Sequence, residues 1–356
     1  MLLDEERRSA KTLNPKDQRF GHANAWECTL VDRQKSARNF VMAQSAIVRW
    51  SDPKVILVAT NLLEGQTLIL HAIYQARLSG ATVLLVHVIR RAFLRSEVPK
   101  GAPSFLPGPV LQSVKSKLDE TAKEFLHEGI LCEPIILAGH PAEQIALLAK
   151  SRSVDRVIAA TRYASGVARL VEPSVAEELI ATLDVPVCII GRRVHPGPAC
   201  GTPLGRVLMA TALDSMSSTL VGFASALAEL NHSHLTLLHV MDTQGMSDYE
   251  RELARMIARQ KLSSLIPRNA RLRYEPSLLI RDGDPGVIIV DEAGSLSQDV
   301  VILGANNSSN VSRLLTNGVV HRVVIESQCP VITIRSPSPH LDEEMDKESC
   351  AELMNA

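Results

Sequence analysis

Two stretches of the chain carry one pattern: "VIAATRYASGVARLVEPSVAEELIATLDVPVCII", residues 157–190, and "VILGANNSSNVSRLLTNGVVHRVVIESQCPVITI", residues 301–334. Aligning Pro186 with Pro330 sets an offset of 144 (330 − 186), and Gly139 with Gly283 gives the same value with no gap between them. In that register Asp155 meets Asp299, Arg169 meets Arg313 and Val175 meets Val319. The earlier parts match with small changes in length, "VILVATN" against "VLMATAL" and "LLVHVI" against "LLHVMD". Self-similarity over such a length is the mark of a duplicated domain. Whatever fold the chain adopts must therefore be complete within each copy.

Within a copy, short apolar runs alternate with helical spacing. "VILVAT", "TVLLVHV", "PIIL", "RVIAAT" and "PVCII" are continuous and rich in branched residues, as strands covered on both faces should be. Between them Ala72, Ile73 and Ala76, then Ala142, Ile145, Ala146 and Ala149, recur at helical intervals. Strand and helix in alternation imply a parallel sheet with right-handed crossovers. The expected fold class is α/β, with two tandem doubly wound domains of five parallel strands each. Helix starts are legible at His140-Pro141 and Asp284-Pro285, where a first-turn proline loses nothing by lacking an N–H. Ser174 and Glu177 stand at capping-box spacing.

The chain divides into an N-terminal extension (1–52), a first domain (53–194), a Pro/Gly-rich linker (195–204), a second domain (205–336) and an acidic tail (337–356). The segment "ARNFVMAQSAIVRW" within the extension is mildly amphipathic and has two readings: a helix packed on the first domain, or an extension without fixed packing, which the polar start favours. A net charge of −1 leaves no basic footprint for nucleic acid. No apolar run approaches the roughly 20 residues that span a bilayer, and the N-terminus has no secretion signal, so no membrane and a cytoplasmic location are expected. Six cysteines include no C-x-x-C pair, and Cys188 and Cys329 sit in apolar runs, which reads as buried, reduced thiols.

At this point the residues resemble a family. A first strand ending "VAT", a second ending "HV", Gly-x-Pro-Ala opening a helix in "GHPAEQI", and a closing loop, helix and Pro-Val strand are similar to the universal stress protein domain, here in tandem across 53–336. The resemblance implies the nucleotide-binding α/β fold of that family and a role in stress response or signalling. Members that bind nucleotide carry glycine, two residues, glycine, nine residues, then glycine and serine or threonine after the fourth strand. Glycines let backbone approach phosphate, and the next helix start binds the anion.

Both copies depart from that pattern. In the first the glycine positions fall on Ala160, Tyr163 and Pro173, followed by Ser174; tyrosine fills phosphate space and proline removes an N–H. In the second they fall on Gly304, Asn307 and Asn317, followed by Gly318, and asparagine tolerates left-handed backbone. The acidic position after the first strand holds Asn61 and Ala212. The resemblance therefore places any adenine nucleotide, with ATP as the cofactor, in the second copy: phosphates near Gly304, Asn307, Asn317 and Gly318, adenine near Val240. Ser174 reads first as a helix cap, and His87 and His239 as hydrogen-bonded residues at the ends of strands.

The expected function is a noncatalytic stress-response module. The alternatives are a nucleotide-hydrolysing or nucleotidyl-transferring enzyme of a related fold, and a purely structural dimerisation scaffold. Against the enzyme, neither "TNLLEGQ" nor "TALDSMS" holds a His-x-Gly-His pair, and a G-x-x-x-x-G-K-[ST] motif is absent. The last strands, Val187–Ile190 and Val331–Ile334, would each be an apolar sheet edge, so the copies are expected to dock there as an internal pseudo-dimer. Association into a homodimer is a further expectation.

Overall fold

The computed structural model describes residues 45–62, 66–90, 108–161, 174–195, 204–305 and 318–335. Two compact units separate, Met1–Ala46 and Ile47–Ala356. Of the first, only Ser45 and Ala46 are described, and both are helical. The second contains both copies. The linker between them, the acidic tail, the insert over 91–107, and Cys28, Cys200 and Cys350 lie largely or wholly outside the described residues.

The first copy runs β1 (Val55–Ala59), α1 (Gln66–Ser79), β2 (Thr82–Ile89), α2 (Gly108–His127), β3 (Cys132–Ala138), α3 (Pro141–Ser151), β4 (Arg156–Ala160), α4 (Val175–Thr182), β5 (Val187–Ile190). The second repeats it as β6 (Arg206–Ala210), α5 (Ser217–Asn231), β7 (His234–Met241), α6 (Asp248–Leu265), β8 (Ser277–Asp282), α7 (Pro285–Ser295), β9 (Val300–Ala305), α8 (Val319–Glu326), β10 (Val331–Arg335). Within each copy the strands are parallel, and all ten join one sheet in the order β3-β2-β1-β4-β5-β10-β9-β6-β7-β8.

Burial on both faces explains the unbroken apolar runs. Ile56 and Val58 enter one core with α1, α2, α5 and α6, while Leu57 enters the other with α3, α4, α7 and α8. Val207 and Met209 against Leu208 repeat this in β6. All six are fully buried, each stabilising the fold by about 2 kcal/mol relative to exposure. Cys188 and Cys329 are buried free thiols and Cys132 is half-buried; burial pushes the Cys132 thiol up to about 12 and the Cys329 thiol up to about 11.

The duplicated aspartates hold the starts of the two inner strands. Asp155 Oδ2 accepts from the backbone N–H groups of Lys54 (2.8 Å) and Val55 (3.0 Å), and Asp299 Oδ2 accepts from Gly205 and Arg206 (both 2.8 Å). Asp155 is buried and also takes Arg49 at 2.6 Å, whereas Asp299 is exposed. Arg49 belongs to residues 47–51, which are helical and pack Ile47 and Trp50 against the core. The described end of the extension is thus a packed helix, the reading the sequence favoured less.

The copies meet between β5 and β10, the sheet's one antiparallel pairing, with Val331, Ile332 and Thr333 opposite Ile189, Cys188 and Val187. Cys188 and Ile332 are the same position in the two copies. So are Glu177 and His321, 144 residues apart, whose side chains meet at 2.7 Å above the seam.

Burial alone would push the Glu177 carboxyl up, but hydrogen bonds from His321 and Ser174 outweigh it and hold the group below its ordinary value of 4.5. A depressed carboxylate contributes stability that is complete above that ordinary value and is lost as pH falls through the lowered folded value. Acid unfolding of Glu177→Gln is therefore expected to have a shallower limb below pH 4.5 than the parent. Identical limbs, followed by circular dichroism, would show that the pair carries no pH-linked stability.

Candidate functional site

In parallel sheets of this kind ligands bind outside the carboxyl ends of the strands. There the ends of β1 and β4, and of β6 and β9, lie side by side. Both first-strand loops are built alike. The backbone N–H groups of Leu62 and Leu213 donate to Thr60 Oγ1 (3.0 Å) and Thr211 Oγ1 (3.2 Å). Both leucines take left-handed backbone, with φ of 64° and 59°, which a leucine adopts only where its surroundings impose it. His87 and His239 bond through Nδ1 to the carbonyls of Thr60 (2.9 Å) and Thr211 (2.8 Å), tying the second strand's end to that loop. Both histidines therefore act as braces.

In the second copy Ala212 is exposed and offers no carboxylate. Asp214, two residues on, was not singled out in the sequence. Its Oδ1 accepts from Met216 N–H (3.0 Å) and from Ser217 Oγ (3.3 Å), so it builds the turn into α5. The signal was present, since Asp-Ser-Met-Ser is a sequence that hydrogen-bonds its own backbone.

The second half of each site is a strand end and a helix start. Gly304 is half-buried in β9, and a Cβ there would come within 3.0 Å of Leu220 Cδ1. Glycine at this position therefore has a packing reason as well as the one inferred from phosphate approach. Ala160, its equivalent, ends β4. Val240 pairs with Arg281 in the β7/β8 register and is half-buried. Gly318 is the N-cap of α8 in extended backbone (φ −81°, ψ 163°), with no side-chain cap. The structure brings Gly304, Gly318 and Val240 to the carboxyl-end side of the sheet. Asn307 and Asn317, with Tyr163, Pro173, Arg169 and Arg313, lie outside the described residues.

The two helix starts differ in chemistry. In the first copy Ser174 and Glu177 form a complete capping box: Glu177 N–H donates to Ser174 Oγ (3.3 Å) and Ser174 N–H to Glu177 Oε2 (2.7 Å). The next residue, Glu178, adds a second carboxylate, 3.5 Å from His140. In the second copy Gly318, His321 and Arg322 occupy the places of Ser174, Glu177 and Glu178, and Arg322 reaches Asp284 at 2.9 Å, in the place of His140. The pair has exchanged sign between copies. The first turn of α4 is acidic and capped; that of α8 has no carboxylate of its own and no side-chain cap, and its His321 and Arg322 are paired with Glu177 and Asp284. A bare helix start is the part suited to an anion. The loop glycines do not carry this contrast, which lies in the first-turn residues Glu177, Glu178, His321 and Arg322.

A cavity of about 110 Å³ opens elsewhere, at the amino ends of the central strands, where Arg156, Gln75, Asp52, Asn231 and Asp299 line it. Arg156 is buried there, donating to Gln75 Oε1 (3.0 Å) and Trp50 O (2.5 Å). Its equivalent in the second copy is Val300. Among the described residues no cluster of three or more His, Cys, Asp or Glu is placed to hold a metal, and no helix is long and apolar enough to cross a membrane.

Compared with known proteins, residues 53–191 and 203–335 each match the universal stress protein family. A universal stress protein from Archaeoglobus fulgidus DSM 4304 superimposes with a TM-score of 0.59 at 18% identity, over 80% of this chain and 97% of that one. A functionally unknown protein from Pseudomonas aeruginosa PAO1 gives 0.56 at 16% identity, over 84% and 99%. A putative universal stress protein from Pseudomonas aeruginosa UCBPP-PA14 gives 0.54 at 16% identity, over 80% and 94%. A comparison with curated protein sequences finds no match.

Proposed function

Because the chain belongs to the universal stress protein family, we propose that it is a noncatalytic, cytoplasmic stress-response module whose second copy binds an adenine nucleotide weakly and whose first copy does not. The observation that carries this reading is the contrast between helix starts. Phosphate arriving at α4 meets Glu177, Glu178 and a Glu177 N–H already engaged by Ser174; at α8 it meets the bare N-cap Gly318, with His321 and Arg322 each held by a carboxylate, Glu177 and Asp284. Gly304, Asn307, Asn317 and Gly318 would hold the phosphates of ATP, and Val240 backbone the adenine. Affinity is modest because Ala212 supplies no carboxylate, a loss of about 1 to 3 kcal/mol. The antiparallel β5/β10 register, with Cys188 opposite Ile332, supports an internal pseudo-dimer that fixes the two sites relative to each other.

Titration calorimetry with ATP separates the readings. Gly318→Asp keeps a residue suited to capping and adds a carboxylate where phosphate would sit; it should abolish binding and leave thermal stability unchanged or slightly raised. Ser174→Gly, which opens the first site, should leave ATP affinity as in the parent. Binding that survives Gly318→Asp would reverse the assignment. No heat in the parent would favour the structural pairing scaffold, and steady phosphate release above background would favour the enzyme.

A further inference from the structure

The outer helix of the second copy, α6, is apolar on two opposite faces. Ala258 and Leu262 are buried, with Ala254 and Leu265 packed beside them against the core. On the far side Tyr249 (78% exposed), Leu253, Met256 (57%) and Ile257 line up at intervals of four, seven and eight residues, and Met246 extends the stripe. Such spacing places all four on one side of a helix, within about 100°. Most exposed apolar residues need no explanation, but a continuous stripe along a helix marks a surface that another element covers.

Charge placement identifies the occupant. Along one flank of the stripe the order is Asp248, Glu252, Arg255, Arg259, acidic at the start and basic at the end. Asp248 and Arg259 are equidistant from the point between Leu253 and Ala254, and so are Glu252 and Arg255. A second α6 laid antiparallel across the stripe, with its two-fold axis at that point, faces each carboxylate with an arginine and makes every pair twice. On the other flank Glu250 and Lys261 have a midpoint only two residues away, about 3 Å along the helix and within the reach of a lysine. A parallel partner would set like charges together. Within the chain Asp248 touches Arg251 at 3.3 Å and Glu252 touches Arg255 at 3.4 Å; both are exposed pairs that contribute little. Arg255 also holds Asp282 at 2.7 Å, which keeps its head group on that flank.

We propose that the chain forms a symmetric homodimer through antiparallel packing of α6, with Leu253 at the axis. Each protomer's β5/β10 edges are already joined to one another, so this interface uses helix faces and adds no strand pairing. Leu253 would sit in the middle, with Tyr249, Met256 and Ile257 filling the space on either side and the charged flanks setting direction. Self-complementarity of this kind closes at two copies.

Sedimentation equilibrium of the full chain tests it. The parent should dimerise, and Leu253→Glu should weaken the dimer at least about a hundredfold, since two carboxylates then meet at the axis, while the thermal midpoint of the monomer stays unchanged. Asp248→Lys and Arg259→Glu should each weaken it about tenfold, because each change acts twice. The double variant Asp248→Lys/Arg259→Glu should regain the parent's affinity. A parent that is monomeric at every concentration, a dimer that Leu253→Glu leaves intact, or a double variant weaker than both singles would overturn the proposal.

Discussion

Replacing Ile189 by proline is expected to loosen both copies at once. Ile189 lies in β5 between Ala159 of β4 and Val331 of β10, and it is fully buried. Proline in the interior of a sheet removes a ladder hydrogen bond and is tolerated essentially only on edge strands or at bulges; the buried acceptor it leaves without a partner costs about 1 to 3 kcal/mol. Because the two copies share one sheet, the loss should spread to each side of the seam. Amide hydrogen exchange should show lost protection in β4 of the first copy and in β9 and β10 of the second. The control Ile189→Val should cost only about 1 kcal/mol. If β9 and β10 keep the parent's protection in the proline variant, the seam does not couple the copies.

Asp155→Ala is the second large effect. The Asp155 side chain is 5% exposed and accepts from two backbone N–H groups as well as Arg49. Truncation leaves those amides without an acceptor beside the start of the central strand, a loss of about 3 kcal/mol. Arg49 is 60% exposed and can turn to water, so it adds little. Asp299→Ala removes the equivalent cap at an exposed site, where water can replace it, and should cost less than half as much. Asp155→Asn, which keeps an acceptor oxygen, should recover part of the difference. Equal denaturation midpoints for Asp155→Ala and Asp299→Ala would show that burial does not set the value of this cap.

How much of this was legible in advance differs between elements. The offset of 144 predicted two copies of one fold, and continuous apolar runs alternating with helical spacing predicted parallel strands covered on both faces. The capping box at Ser174 and the proline-opened helices at Pro141 and Pro285 were local, and local chemistry is readable because its partners lie three or four residues apart. Asp155 and Asp299 were visible only as matched letters. That each caps a strand about a hundred residues earlier depends on the β1/β4 and β6/β9 pairings, which bring distant chain together.

The candidate site divides the same way. The sequence determined that the first copy has no glycine at the three pattern positions, Ala160, Tyr163 and Pro173, and that the second keeps only Gly304 of them, because absent side chains are evident in the letters themselves. It did not reveal that Glu177 would reach His321, that Glu178 and Arg322 would face His140 and Asp284 with the sign exchanged, or that Gly304 is held against Leu220. Each of these contacts joins residues from separate helices and strands, and their energies depend on burial and on distances of a few ångströms. Local pattern specifies which face of an element is apolar; only the packed sheet decides which charges then stand beside one another.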